Sequence, residues 1–147
     1  MTLATAESCT GGLIGDRITN VPGASEYFLG GVAAYAYAAK ERLLGVNRET
    51  LERFGAVSRE TVLEMARGAR QAIGAQIGLS VSGIAGPGGG MPGKPVGLVW
   101  IGLSAPDGDW AWRCLFTGNR VENKAASAEE ALRILANYLQ GRVDGSY

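Results

Sequence analysis

The sequence predicts an α/β fold, a three-layer α/β/α sandwich around a mixed sheet. Short apolar runs of strand length alternate with segments of helical period, in the order strand, helix, strand, helices, strand, paired strands, helix. The turn-forming "PDGD" links the late runs "PVGLVWIGLSA" and "DWAWRCLF" as a hairpin, which sets antiparallel strands beside strands joined by helical crossovers. With 147 residues, 46% of them hydrophobic, the chain supplies one sizeable core, so residues 1–147 are expected to form a single domain.

Met1 to Ala6 is expected to be a short buried strand. From Thr10 a helix follows whose Leu13, Ile14, Ile18 and Val21 share a face until "VPG" stops it. A second strand over Gly31 to Tyr37 would put Tyr35 and Tyr37 on one face, and the alanine-rich continuation through Lys40 to Leu44 passes into a short helix ended by Gly45. Ser58 suits an N-cap, and Val62, Met65, Ala66, Ala69 and Ile73 form the apolar stripe of the helix behind it. "QIGLSVSGIAG" reads as a third strand running into the glycine-rich "SGIAGPGGGMPGKPVG". The last helix starts near Asn119 and packs through Ala125, Ala128, Leu132, Leu135 and Leu139.

Composition narrows the partners. Lys plus Arg equals Asp plus Glu at 14 each, with no block of one sign, which speaks against nucleic acid and membrane as partners. The start MTLATAES lacks the basic and apolar segments of a secretory signal, so a cytoplasmic location is expected. Two cysteines, Cys9 and Cys114, and no histidine make neither a disulfide framework nor a usual zinc site, and no metal is expected.

Open α/β sheets bind ligands beyond the carboxyl ends of their strands, and Ser8, Lys40 and the loop from Ser82 to Gly90 all follow expected strands. In "TAESCTGG", Ser8 is a candidate nucleophile that needs a partner to take its proton. Without histidine, a desolvated lysine is the established substitute. Of Lys40, Lys94 and Lys124, Lys40 is best placed for burial near a strand end. Tyr35 or Tyr37 supplies a phenol, and spacing does not choose between them. The plainer alternatives are that Ser8 caps the first helix, Lys40 is solvated and Tyr35 belongs to the core. Cys9 is a rival nucleophile or an inert buried thiol. Glu7 is either a general base or, the reading favoured here, an acceptor of backbone N–H groups at the helix start.

The glycine-rich loop matches neither the phosphate-loop nor the dinucleotide fingerprint, yet its density of glycine lets backbone N–H groups converge on an anion. Its Gly83, Ala85, Gly86 and Gly88 are the candidate substrate contacts. Arg120 and Lys124 lie four apart at the opening of the last helix, so they share a face on which a phosphate would be clamped; surface solvation is the alternative.

"TAESCTGG", "VPGASEYFLGGVAAYAYAAKERLLGV", "GAVSRETVLEMARGA", "SGIAGPGGGMPGKPVGLVW" and "FTGNR", in this order and spacing, resemble the CinA C-terminal domain family over nearly the whole chain. The resemblance implies a nicotinamide-nucleotide amidohydrolase that converts nicotinamide mononucleotide to nicotinate mononucleotide and ammonia. It implies Ser8 as nucleophile, Lys40 and Tyr35 as its catalytic partners and Arg120 on the phosphate; backbone N–H groups at Cys9 and Thr10, beside such a nucleophile, are the expected oxyanion donors. No organic cofactor is expected, the partner is the small-molecule substrate, and a homo-oligomer is compatible with the sequence. A nucleotide-binding sensor without turnover, or an interaction protein linked to competence, is the alternative. The chain departs from the family pattern in lacking a helix before "TAESCTGG", in Tyr37 where asparagine is frequent, and in Lys124 where arginine is frequent. Nothing resembles the pyrophosphatase-type domain that precedes this one in larger members.

Overall fold

Five apolar runs pair into one sheet: β1 (Leu3–Glu7), β2 (Phe28–Ala33), β3 (Ile77–Gly83), β4 (Leu98–Ala105) and β5 (Gly108–Leu115). In the computed structural model, which describes residues 1–146, their order is β2-β1-β3-β4-β5. β1 lies parallel to β2 and β3, whereas β3–β4 and β4–β5 are antiparallel, so the sheet is mixed. Every residue of β1 is buried, because the strand has neighbours on both sides and helices on both faces. The hairpin turns at Pro106 and Asp107, within "PDGD" as its residue types require.

Helices α1 (Leu13–Thr19) and α5 (Arg120–Leu139) cover one face. Ile14, Ile18, Ala128, Ala131, Ile134 and Leu135 pack there against Leu79, Val81, Ile101 and Leu103 of the sheet. On the other face α4 (Arg59–Ile73) lies across β1, β3 and β4, and α2 (Tyr37–Leu44) and α3 (Arg48–Phe54) pack against it. The α4 stripe is buried as the 3.6-residue period requires, with Val62, Met65, Ala66 and Ala69 all fully covered. Ser58 caps this helix, its Oγ accepting the Thr61 N–H at 3.2 Å. At its middle, a Cβ on Gly68 would sit 1.9 Å from the Leu44 carbonyl oxygen. Only glycine lets the end of α2 rest on the α4 backbone, and that contact fixes the helix that carries Lys40.

Several boundaries differ from the sequence expectation. β1 covers Leu3–Glu7 rather than 1–6, and α1 begins at Leu13 rather than Thr10. β2 runs over Phe28–Ala33, not 31–37. Its last partner is Glu7; the Ala34 N–H then donates to the Glu7 carbonyl at 2.9 Å and the chain turns away. Tyr35 therefore lies in a loop and Tyr37 opens α2, so the two tyrosines share no strand face. Strong helix formers from Ala38 to Leu44 outcompete the weak β-propensity of alanine and pull the boundary forward. In α5 the buried face is turned from the expected stripe: Asn123, Ser127 and Ala131 are buried, whereas Ala125 and Leu139 are exposed.

Candidate active site

The site begins where β1 ends. Glu7 is buried, and its carboxylate accepts four hydrogen bonds, from Thr10 Oγ1 (2.6 Å), Gly12 N (3.2 Å), Ile14 N (2.9 Å) and Gly15 N (3.0 Å). The three backbone donors lie at the start of α1 and are otherwise unpartnered, so Glu7 performs the capping that the residue at the helix boundary, Gly12, lacks the side chain for. Ser8 consequently caps nothing. Its N–H donates to the Val81 carbonyl at 2.9 Å, which continues the β1–β3 ladder by one residue and leaves its hydroxyl at the strand terminus.

Lys40 comes from the first turn of α2 and is 1% exposed, the largest side chain in the fully buried set. Its Nζ lies 3.0 Å from Ser8 Oγ and donates to the carbonyls of Ala34 and Tyr35, each at 2.9 Å. No carboxylate is among these partners. Burial disfavours the ammonium and lowers the Lys40 pKa from 10.5 to about 8. In its neutral form the amine has two hydrogens, which match the two carbonyls, and one lone pair, which is left facing the Ser8 hydroxyl. The β2–α2 turn thus orients a base toward a hydroxyl. The expectation of a solvated helix lysine is corrected: α2 packs on α4, and the side chain points inward.

This titration has a consequence for stability. Between about pH 8 and 10.5 the unfolded chain holds the Lys40 proton and the folded chain does not, so unfolding free energy rises with pH across that window. Relative to Lys40→Met, the wild type is expected to gain on the order of 3 kcal/mol from the bottom to the top of it. Urea midpoints of both proteins at the two ends of the window check this; parallel pH curves would refute a lowered lysine pKa.

Cys9 is buried beside Ser8, and that burial pushes its thiol up to about 11. It is therefore held as the protonated, poorly nucleophilic form, an inert neighbour rather than a rival. Among the described residues, the N–H groups of Cys9 and Thr10 donate to no main-chain carbonyl.

Three further segments reach the same end of the sheet. Arg120, at the start of α5, donates from Nη1 to the Gly86 carbonyl (2.7 Å) and from Nη2 to the Tyr35 hydroxyl (3.1 Å). It thereby ties the glycine-rich loop to the β2–α2 turn. Tyr35 is 63% exposed, so it is not core; its carbonyl holds Lys40, while its phenol accepts from Arg120 and, among the described residues, is hydrogen-bonded to neither Lys40 nor Ser8. The Tyr37 hydroxyl is turned elsewhere and accepts from the Ala56 N–H at 3.2 Å. Gly83 closes β3, Ala85 and Gly86 are buried, and Gly88 is exposed. Lys124, half-buried on α5, is not joined to Arg120 by any bond among the described residues. Lys94 donates instead to the Phe54 carbonyl and anchors the far end of the loop to α3.

Asn123 is the site-related residue that the sequence reading missed. It is 1% exposed, and its amide donates to the Ala85 carbonyl at 3.0 Å. The signal was present as a polar Asn123–Ser127 pair, four apart, in the middle of an otherwise apolar helix face.

A mixed α/β domain with a serine and a buried lysine at the carboxyl ends of its parallel strands defines the class. The model of the CinA C-terminal domain matches residues 1–139, and the chain belongs to this family. It is 50% identical over 141 residues to a CinA-like protein of Thermotoga maritima and 50% identical over 139 residues to a CinA-like protein of Desulfotalea psychrophila. These matches cover 96% and 95% of this chain but only 34% of each relative, so the chain spans about a third of the length of the curated relatives it matches. Among solved structures, the competence/damage inducible protein CihA of Agrobacterium tumefaciens superposes with a TM-score of 0.90 at 43% identity, over 92% of this chain and 84% of that one. A CinA superfamily protein of Klebsiella pneumoniae superposes with a TM-score of 0.92 at 34% identity, over 95% and 88%. Among the described residues, no helix is long and apolar enough to cross a membrane.

Proposed function

We propose that this domain hydrolyses the carboxamide of nicotinamide mononucleotide, giving nicotinate mononucleotide and ammonia. The observation that carries the reading is the 3.0 Å contact between Ser8 Oγ and a lysine amine that is buried without a carboxylate partner. Ser8 Oγ forms a bond to the carboxamide carbon as its proton passes to the Lys40 lone pair. The carbonyl π electrons move onto oxygen, where the N–H groups of Cys9 and Thr10, next along the chain from the nucleophile, would be the donors. Collapse of that intermediate breaks the C–N bond, and Lys40 returns the proton to the departing nitrogen, which leaves as ammonia. Water then attacks the acyl-serine, giving a proton to Lys40, which passes it back to Ser8 Oγ as the carboxylic acid departs. Tyr35 serves through its main-chain carbonyl, which keeps the amine aimed at Ser8.

Arg120 and the glycine-rich loop would take the nucleotide phosphate, because guanidinium donors and glycine N–H groups are the anion-binding groups on this rim. The direct test is ammonia release by the purified domain from nicotinamide mononucleotide, with the riboside as comparison. Arg120→Ala is expected to raise KM for the mononucleotide at least roughly tenfold while leaving the riboside, already a poor substrate, unchanged. A folded domain that releases no ammonia refutes the reaction; equal turnover of the two substrates refutes the phosphate assignment.

A further inference from the structure

The peptide joining Ala85 to Gly86 is held from the side of α5. Asn123 Nδ2 donates to the Ala85 carbonyl at 3.0 Å, while its Oδ1 accepts the Gly118 N–H at 3.0 Å. Asn123 is itself immobilised: it is 1% exposed, and its own carbonyl accepts from Ser127 Oγ at 2.7 Å. A trans peptide is planar, so the Gly86 N–H points opposite to the Ala85 carbonyl, away from α5. Gly86 is buried, yet its N–H makes no hydrogen bond among the described residues. This donor can be met by an acceptor on a ligand.

The position also rejects side chains. A Cβ on Gly86 would lie 2.5 Å from Val96 Cγ1, and φ of +94° is a conformation that glycine tolerates. Arg120 donates to the Gly86 carbonyl and at the same time to the Tyr35 hydroxyl, so this amide is tied to the β2–α2 turn whose Tyr35 carbonyl holds Lys40.

We infer that Asn123 is a positioning residue: by fixing the Ala85 carbonyl, it aims the Gly86 N–H at a phosphate-type anion held beside Arg120. The inference rests on the anionic substrate proposed above, but its test separates the two. Asn123→Leu keeps size and neutrality and removes both amide bonds; Asn123→Ser does so with less bulk, should the first variant fold poorly.

In the 15N-labelled domain, inorganic phosphate is expected to shift the Gly86 amide signal saturably. In either folded variant the half-saturating phosphate concentration rises about tenfold, equivalent to about 1.4 kcal/mol. With nicotinamide mononucleotide as substrate, KM rises by a similar factor and kcat stays within about twofold, whereas a merely structural defect would lower turnover of mononucleotide and riboside alike. An unmoved Gly86 signal in the wild type, or an unchanged midpoint in a folded variant, overturns the inference. Phosphate titrations as expected in a wild type that releases no ammonia would overturn the amidohydrolase reading and leave the positioning role standing.

Discussion

Ser8→Ala is expected to lower ammonia release from nicotinamide mononucleotide by at least roughly 10³-fold, because it removes the atom that forms the acyl bond. Lys40→Ala should fall to a similar level, since a serine hydroxyl at neutral pH is a weak nucleophile unless its proton has somewhere to go. The double variant should be hardly worse than either single one, as groups that act as a unit lose their effect together. Substrate binding should survive in Ser8→Ala, whose missing oxygen is hydrogen-bonded among the described side chains to Lys40 alone. Retention of more than about a tenth of the wild-type rate by a folded Ser8→Ala would place the chemistry elsewhere. The rate should also rise with pH through about 8, as the buried Lys40 loses its proton and becomes a base. A bell or plateau with no inflection in that region would count against Lys40.

The second large effect concerns stability. Glu7→Ala strips the acceptor from four donors, three of them backbone N–H groups at the start of α1, within a partly buried turn. Water cannot readily replace that acceptor, so a loss on the order of 3–5 kcal/mol is expected, read from denaturant midpoints. Glu7→Gln, which keeps one carbonyl oxygen, should cost less and retain turnover within about tenfold under conditions where it is folded. If Glu7 were the general base, the opposite pattern would appear, with turnover abolished in Glu7→Gln and stability nearly intact.

How the sequence maps onto this domain depends on the range of the interactions. The α4 stripe, the Ser58 cap, the Asn119 start of α5 and the "PDGD" hairpin are set by residues within a few positions of one another, and all stand as read from the chain. The end of β2 is not local: the strand stops because its parallel partner β1 stops at Glu7, 26 positions earlier than Ala33. Tyr35 was misplaced for the same reason. The α5 face was misjudged because a fully apolar stripe was assumed, whereas the helix turns Asn123 inward to hold a loop 38 positions away.

The family motifs and the absence of histidine made Ser8 and Lys40 legible as a pair, since residue type and position after a strand are properties of the chain alone. Their chemistry was not legible. Whether a lysine amine is a solvated cation or a base depends on desolvation and on the count of its acceptors, and both arise only when α2 settles on α4 and the carbonyls of Ala34 and Tyr35 turn toward Nζ. The sequence by itself determined the order of the elements, the α4 core stripe and the identity of the reactive groups. Tertiary structure alone decided which of those groups meet and in what protonation state, because burial and long-range hydrogen bonds belong to the packed molecule and not to any segment of it.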